Sequence, residues 1–322
     1  MRKAIIMTIL ALTLLLTFGC TGQQQQGVAG SKFAGGTVGL SIAFAPGSLP
    51  DKVLDKGQPF GASVILQNVG DHTIDNGADA TVRITGIDPA EFGVTTADLT
   101  QDAPSTIRGA TKDPEGKPVA GETVSLDFPK GGGTLTHQKD IAGSVSYNIR
   151  ADVCYKYGTV VNTKLCVLSD ILGTKGTANK LCIINEDKPI DNSGAPVQVT
   201  KFTESVSSAN KVAFVFTVSH MGTGTVHEAA SECAQDFQKK DKVHIKVDTG
   251  LADGLTCSGL QNGAASGSVY EGDAQLLNNA REIRCTQTIN SPSDLQKLVA
   301  IDITYDYDSY VEKLLEVYHV GQ

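Results

Sequence analysis

This chain spells out one pattern twice. Val64-Ile-Leu-Gln-Asn-Val-Gly-Asp-His-Thr-Ile74 reads against Phe216-Thr-Val-Ser-His-Met-Gly-Thr-Gly-Thr-Val226 at a constant offset of 152, and Ala151-Asp-Val-Cys-Tyr-Lys-Tyr157 reads against Ile301-Asp-Ile-Thr-Tyr-Asp-Tyr307 at an offset of 150. Two landmarks in the same order at nearly the same spacing imply two copies of one folding unit. A chain of 322 residues supplies two cores of ordinary domain size. Inside each copy the dominant period is two. From Val145 to Val153 the odd positions form one apolar face, while Ser146, Asn148, Arg150 and Asp152 point the other way. That is the pattern of a half-buried antiparallel strand.

The same period marks strands at Val38 to Phe44, Gly61 to Gln67, Ala80 to Thr85, Val119 to Phe128 and Ser144 to Tyr157. A second series runs from Val197 through Lys211 to Ser219, Lys242 to Asp248, Gly267 to Tyr270, Arg281 to Thr286 and Val299 to Tyr307. Turn clusters such as Lys112-Asp-Pro-Glu-Gly-Lys-Pro118 and Gly131-Gly-Gly133 separate them. The expected organisation is all-β: a first domain over 38–187, a polar linker over 188–196 and a second domain over 197–322. Helix propensity alone would make Val311 to Tyr318 a short helix. The repeat instead places it opposite Val161 to Leu168, the return strand of a final hairpin turning near Gly158 to Thr163. Each copy carries Tyr-x-Tyr beside that hairpin (Tyr155 and Tyr157; Tyr305 and Tyr307), expected to pack across strands with wet hydroxyls.

The N-terminus speaks to location. Arg2 and Lys3 precede an apolar run from Ala4 to Phe18, shorter than the roughly 20 residues that span a bilayer comfortably. Gly19-Cys20 follows, and the chain turns polar at once. The segment resembles the lipobox of prokaryotic lipoproteins, in a loose form closer to archaeal than bacterial ones, because Phe18 and Thr17 replace the usual small residue and Leu. The resemblance implies a signal peptide over 1–19 and lipidation of Cys20; the Gln- and Gly-rich stretch that follows has no periodicity and no apolar mass, and 20–37 reads as a flexible tether. A cleaved signal and an uncleaved N-terminal anchor are the other two readings. All three export the rest of the chain.

Six further cysteines remain: Cys154, Cys166, Cys182, Cys233, Cys257 and Cys285. An even number in an exported chain, with no zinc-ligand spacing, points to three disulfides. The pairings expected are Cys154–Cys166 across the hairpin, Cys257–Cys285 within the second copy, and Cys182–Cys233 bracing the linker, although fifteen connectivities exist. Net charge is -8, and about -10 once Arg2 and Lys3 leave. That disfavours nucleic acid and anionic headgroups as direct partners. The six histidines (72, 137, 220, 227, 244, 319) are scattered, and no His-Glu-x-x-His or Gly-x-Ser-x-Gly occurs. Asp302, Asp306 and Asp308 alternate beside the second Tyr-x-Tyr without a calcium-loop pattern, so a solvated sheet face is expected. No catalytic, metal or cofactor-binding residue is assigned. Paired carboxylates from distant strands would leave no local motif.

Alternation ending in Gln67-Asn-Val-Gly70, with His220 and Gly222 in the second copy, resembles the strand–turn signature of CARDB-like and related immunoglobulin-like modules of archaeal and bacterial surface proteins. That resemblance implies two tandem immunoglobulin-like antiparallel β-sandwiches, in a cell-surface protein acting in binding, adhesion or scaffolding. It leaves the surface protein or glycan it would meet unspecified. An extracytoplasmic hydrolase or redox accessory protein is the alternative, since fold does not give function.

Overall fold

Residues 30–173, 181–252 and 254–319 are described by a computed structural model. Cys20, the apolar run before it and most of the tether lie outside them. Strands dominate, with two short 3-10 turns and no α-helix among the described residues. Most of the strands read from alternation are present. The first repeat forms a three-stranded sheet of Leu40–Phe44, Ala62–Asn68 and Thr123–Phe128, with Ala62–Asn68 in the middle. The second repeat forms the corresponding set, Val197–Ser208, Lys211–His220 and Ala280–Thr288, and adds Glu186–Asp187 and Thr256–Ser258 at its two edges. A ten-stranded sheet runs through both repeats, and one continuous apolar core joins residues of both, among them Val64, Tyr157, Phe216 and Tyr305.

At the centre of that large sheet stand two 24-residue strands, Ser144–Val167 and Leu295–Tyr318. They pair antiparallel along their whole length, from Ser144 opposite Tyr318 to Val167 opposite Leu295. At about 3.3 Å per residue each spans about 80 Å. Lys156 lies opposite Asp306, the residue 150 positions on and therefore its own repeat equivalent. The offset and the register together generate a pseudo-two-fold axis between Lys156 and Asp306. The first half of Ser144–Val167 borders Ala80–Thr85 of its own repeat, and the second half runs beside the second repeat's Leu295–Tyr318 where that strand borders Lys242–Asp248. Each long strand therefore completes the sheet of both repeats.

This corrects the expected final hairpin: no turn occurs at Gly158 to Thr163. Odd positions stay buried without a break through Tyr155, Tyr157, Thr159, Val161, Thr163, Leu165 and Val167, so the chain gains more by continuing than by folding back. Gly158 marks a close approach: a Cβ there would lie 3.0 Å from the His72 ring. Val311 to Tyr318 is strand, as the repeat indicated, but as the far end of Leu295–Tyr318. The segment 188–196 is not a free polar linker. Asp191–Asn192 pairs with Asn162 and Val161, and Lys188, Ser193 and Ala195 are buried.

The disulfides follow from this topology. Cys154 and Cys166 sit twelve residues apart on one extended strand, about 40 Å, far beyond the roughly 7 Å a bridge allows. Cys154 pairs with Cys233, and Cys166 with Cys182 (Cα separations 5.9 and 5.6 Å), replacing the expected Cys154–Cys166 and Cys182–Cys233. Cys257–Cys285 is present as expected, between direct cross-strand neighbours.

The repeated landmarks meet at the waist. Tyr155, Tyr157, Tyr305 and Tyr307 form a buried cluster with ring centroids 5.5–6.5 Å apart. Their hydroxyls are hydrogen-bonded, not wet. The Tyr157 hydroxyl donates to Asn68 Oδ1 at 3.0 Å, and the Tyr307 hydroxyl lies 3.0 Å from Nε2 of His220, the residue equivalent to Asn68. Leu40 N–H donates to the Tyr155 hydroxyl, and Val197 N–H to the Tyr305 hydroxyl. Gly70 and Gly222 are required by this packing: a Cβ at either would sit 2.2 Å from the Tyr157 or Tyr307 hydroxyl. Neither glycine has a positive φ. The motif is thus a tyrosine socket, and a turn requirement does not explain it.

Candidate binding groove

Because odd positions of the long strands face the core, even positions face outward. Around the pseudo-two-fold axis this puts Arg150, Asp152, Cys154 and Lys156 beside Asp306 and Asp308, with Thr81, Arg83 and Thr85 on the next strand. A groove of about 640 Å³ lies over these side chains. Its far wall is a segment that the first repeat lacks. Five residues separate Ile74 from Ala80, whereas sixteen separate their equivalents Val226 and Val243. The insertion reaches across the axis to the first repeat, and the Cys154–Cys233 bridge fastens it there.

A buried carboxylate shapes the insertion. Asp306 accepts hydrogen bonds from Ala230 N–H at 3.1 Å and Glu232 N–H at 2.6 Å. Ala230, Glu232 and Cys233 all adopt positive φ (59°, 53° and 51°), a cost that the carboxylate and the disulfide together offset. Phe237, at the turn beyond, is 88% exposed.

Charges within the groove are largely paired. Lys156 bonds Asp79 at 2.5 Å, Arg150 Nε pairs with Asp152 while its guanidinium stacks 3.5 Å from the Tyr310 ring centroid, Thr85 donates to Asp152, and Thr81 donates to Asp102. Arg83, Glu232 and Asp308 have no side-chain partner of this kind among the described residues. Burial pushes the Asp308 carboxyl above its ordinary range, and the neighbouring Asp152 carboxylate adds to the rise, against His227 and Arg150. His227 is itself buried, one nitrogen 3.2 Å from the Ala234 carbonyl oxygen and the other without a partner among the described residues.

Of the residues singled out in the sequence, Cys154 and Cys233 frame the groove, Asp306 and Asp308 line it, and Cys166, Cys182, Cys257 and Cys285 lie elsewhere. Asp302 faces Lys246 on a neighbouring strand. No group of three or more His, Cys, Asp or Glu among the described residues is placed to hold a metal ion. Sequence reasoning missed Arg83, Arg150 and the inserted segment. The jump in repeat offset between the Val226 and Lys242 strands was the signal that could have found the insertion. No protein-family model matches the chain, and no match was found among curated proteins.

Proposed function

We propose that this chain is an exported protein, held at the outer face of the cytoplasmic membrane by a lipidated Cys20, that works by binding through its outer-face groove. The observation that carries the reading is the groove's construction: both repeats line it, and a disulfide fixes its far wall across the pseudo-two-fold axis. The framework is read as two immunoglobulin-like sandwiches. In support, each repeat sets its first, second and fifth main strands in one sheet against its third and last in the other, and the strand beside the last comes from the other repeat. Three disulfides suit an oxidising compartment. No helix among the described residues is long and apolar enough to cross a membrane.

The tether joins at the waist. The Asp71 carboxylate accepts from Ala34, Gly35 and Gly194 N–H groups, and Lys32 and Phe33 border Gly158 across a second cavity of about 380 Å³. The chain that follows a lipid on Cys20 would therefore enter the body at its middle. Binding of the purified protein to intact cell envelopes tests the reading. Arg83→Ala and Asp308→Asn should each weaken it at least about tenfold, and unchanged binding in both would overturn it. For the anchor, Cys20→Ser should retain the precursor or release the chain; unaltered partitioning with an intact N-terminus would refute lipidation.

A second reading, an extracytoplasmic hydrolase, is favoured by one observation: Asp308, its carboxyl raised by burial and by Asp152, shares the groove with that second aspartate. A pair of carboxyl groups is the requirement for acid–base glycoside hydrolysis. Release of reducing ends from polysaccharide, abolished by Asp308→Asn and by Asp152→Asn, would establish it; no release would dismiss it.

A further inference from the structure

We propose that the groove's ligand is an uncharged oligosaccharide; this rests on the reading of the groove as a binding site. The lining offers donors and acceptors side by side. The ion pairs Lys156–Asp79 and Arg150–Asp152 neutralise each other but retain unused N–H groups and lone pairs. Arg83 adds free donors, while Glu232 and Asp308 add free acceptors. A sugar hydroxyl both donates and accepts, so vicinal hydroxyls match such mixed groups, whereas a polyanion or a polycation also meets side chains of its own sign. Carboxylates exceed cations along the lining, six (Asp79, Asp102, Asp152, Glu232, Asp306, Asp308) to three (Arg83, Arg150, Lys156), which opposes sulfated or phosphorylated chains.

Two exposed aromatic rings stand near the lining, which itself holds none. Tyr310, 54% exposed, lies beneath Arg150 beside the groove, and Phe237, 88% exposed, stands two residues beyond Gln235 of its wall. An exposed phenyl ring on a disulfide-fastened segment is left to water unless something apolar covers it. The C–H face of a pyranose does so while its hydroxyls turn to the polar lining. A groove of about 640 Å³ has room for a short run of sugar rings.

Calorimetric titration of the detergent-solubilised full chain tests this. The probes are neutral hexasaccharides of glucose, xylose and N-acetylglucosamine, with dextran sulfate and hexalysine beside them. At least one neutral hexasaccharide should bind saturably, with about tenfold or greater loss in Arg83→Ala and in Phe237→Ala. Both side chains are exposed, so the variants should keep the wild-type melting temperature, which is checked in parallel. No binding by any neutral sugar, or binding unmoved by both substitutions, would overturn the inference. Dextran sulfate binding lost in Arg83→Ala, or hexalysine binding lost in Asp308→Asn, without sugar binding, would overturn the sugar assignment and leave the groove reading intact. Envelope binding unmoved by Arg83→Ala and Asp308→Asn would remove the groove reading itself.

Discussion

The two repeats share a framework and differ in their margins. Both build a tyrosine socket from the same parts: a glycine (Gly70 or Gly222), a polar side chain two positions earlier (Asn68 or His220) and the last tyrosine of Tyr-x-Tyr. Among the described residues the first repeat's small sheet has three strands with unpaired outer edges, whereas the second adds a strand at each edge and staples one with Cys257–Cys285. Only the second carries the inserted segment that walls the groove. Symmetry therefore belongs to the packing of the core, and asymmetry belongs to the surface where the chemistry gathers. In a repeated fold the functional residues are sought where the copies part.

Disulfides give the largest expected contrast. In the chain-entropy model the bridge between repeats, Cys154–Cys233, closes 79 residues and contributes about 4–5 kcal/mol, against about 3–4 kcal/mol for Cys257–Cys285, which closes 28. Denaturant melts of Cys154→Ser/Cys233→Ser and Cys257→Ser/Cys285→Ser double variants should fall in that order. The first alone should loosen the insertion, exposing its backbone to faster hydrogen exchange. A reversed order would mean that the insertion is fastened mainly by Asp306.

Next come the socket glycines. At Gly70 a methyl would meet the Tyr157 hydroxyl and also the Gly194 carbonyl oxygen at 2.4 Å, a backbone atom that cannot swing away; at Gly222 the second obstacle is the Pro196 Cβ at 2.8 Å. Gly70→Ala should cost about 3 kcal/mol or more and Gly222→Ala about 1–3 kcal/mol. Equal costs would show that the two sockets yield alike. Removing the hydroxyls is a gentler probe. Tyr157→Phe strips Asn68 Oδ1, fully buried, of its donor and should cost about 2 kcal/mol. Tyr307→Phe leaves the partly exposed His220 and the Gly224 N–H, and should cost about 1 kcal/mol.

The smallest contrast is in pH dependence, and it has opposite signs. In the first repeat, hydrogen bonds from Ile141 N–H and His319 hold the Asp55 carboxyl below its ordinary range, so its contribution is present above the unfolded pKa and fades as pH falls. In the second, burial pushes Glu204 up to about 7, against the pull of Cys166 N–H and Lys188. The folded state then holds that proton more tightly than the unfolded one. Stability from Glu204 is full below about pH 4.5 and declines as pH rises through 7. Glu204→Gln should flatten the neutral side of the stability–pH curve, and Asp55→Asn the acid side. The same curve in both variants would contradict the assignment.

Much of this could be read from residues. Alternation located most of the strands, and the repeat overruled helix propensity at Val311 to Tyr318. The sandwich edges were harder: Thr100–Asp102 and Gln261–Ser266 lack an apolar face, so no period announces them. The strand exchange was hidden because one glycine, Gly158, reads as punctuation although its reason is the His72 ring. The disulfide error followed directly, since Cys154 and Cys166 are neighbours only if the chain turns there. The groove was least visible, because Arg83, Asp152 and Asp308 come from three strands far apart in sequence and only the register gathers them.

That register is the central claim, and one distance tests it. Lys156 and Lys164 face outward on Ser144–Val167, eight residues apart, about 26 Å along an extended strand. A hairpin turning at Gly158 to Thr163 would bring them nearly opposite, with Cα atoms about 5 Å apart. Spin labels at these two positions, read by pulsed dipolar spectroscopy in the oxidised full chain, should give a single distance near 26 Å. A distance below about 10 Å would mean that the chain folds back, and the exchanged strands, the pseudo-two-fold axis and the shared groove would fall with it.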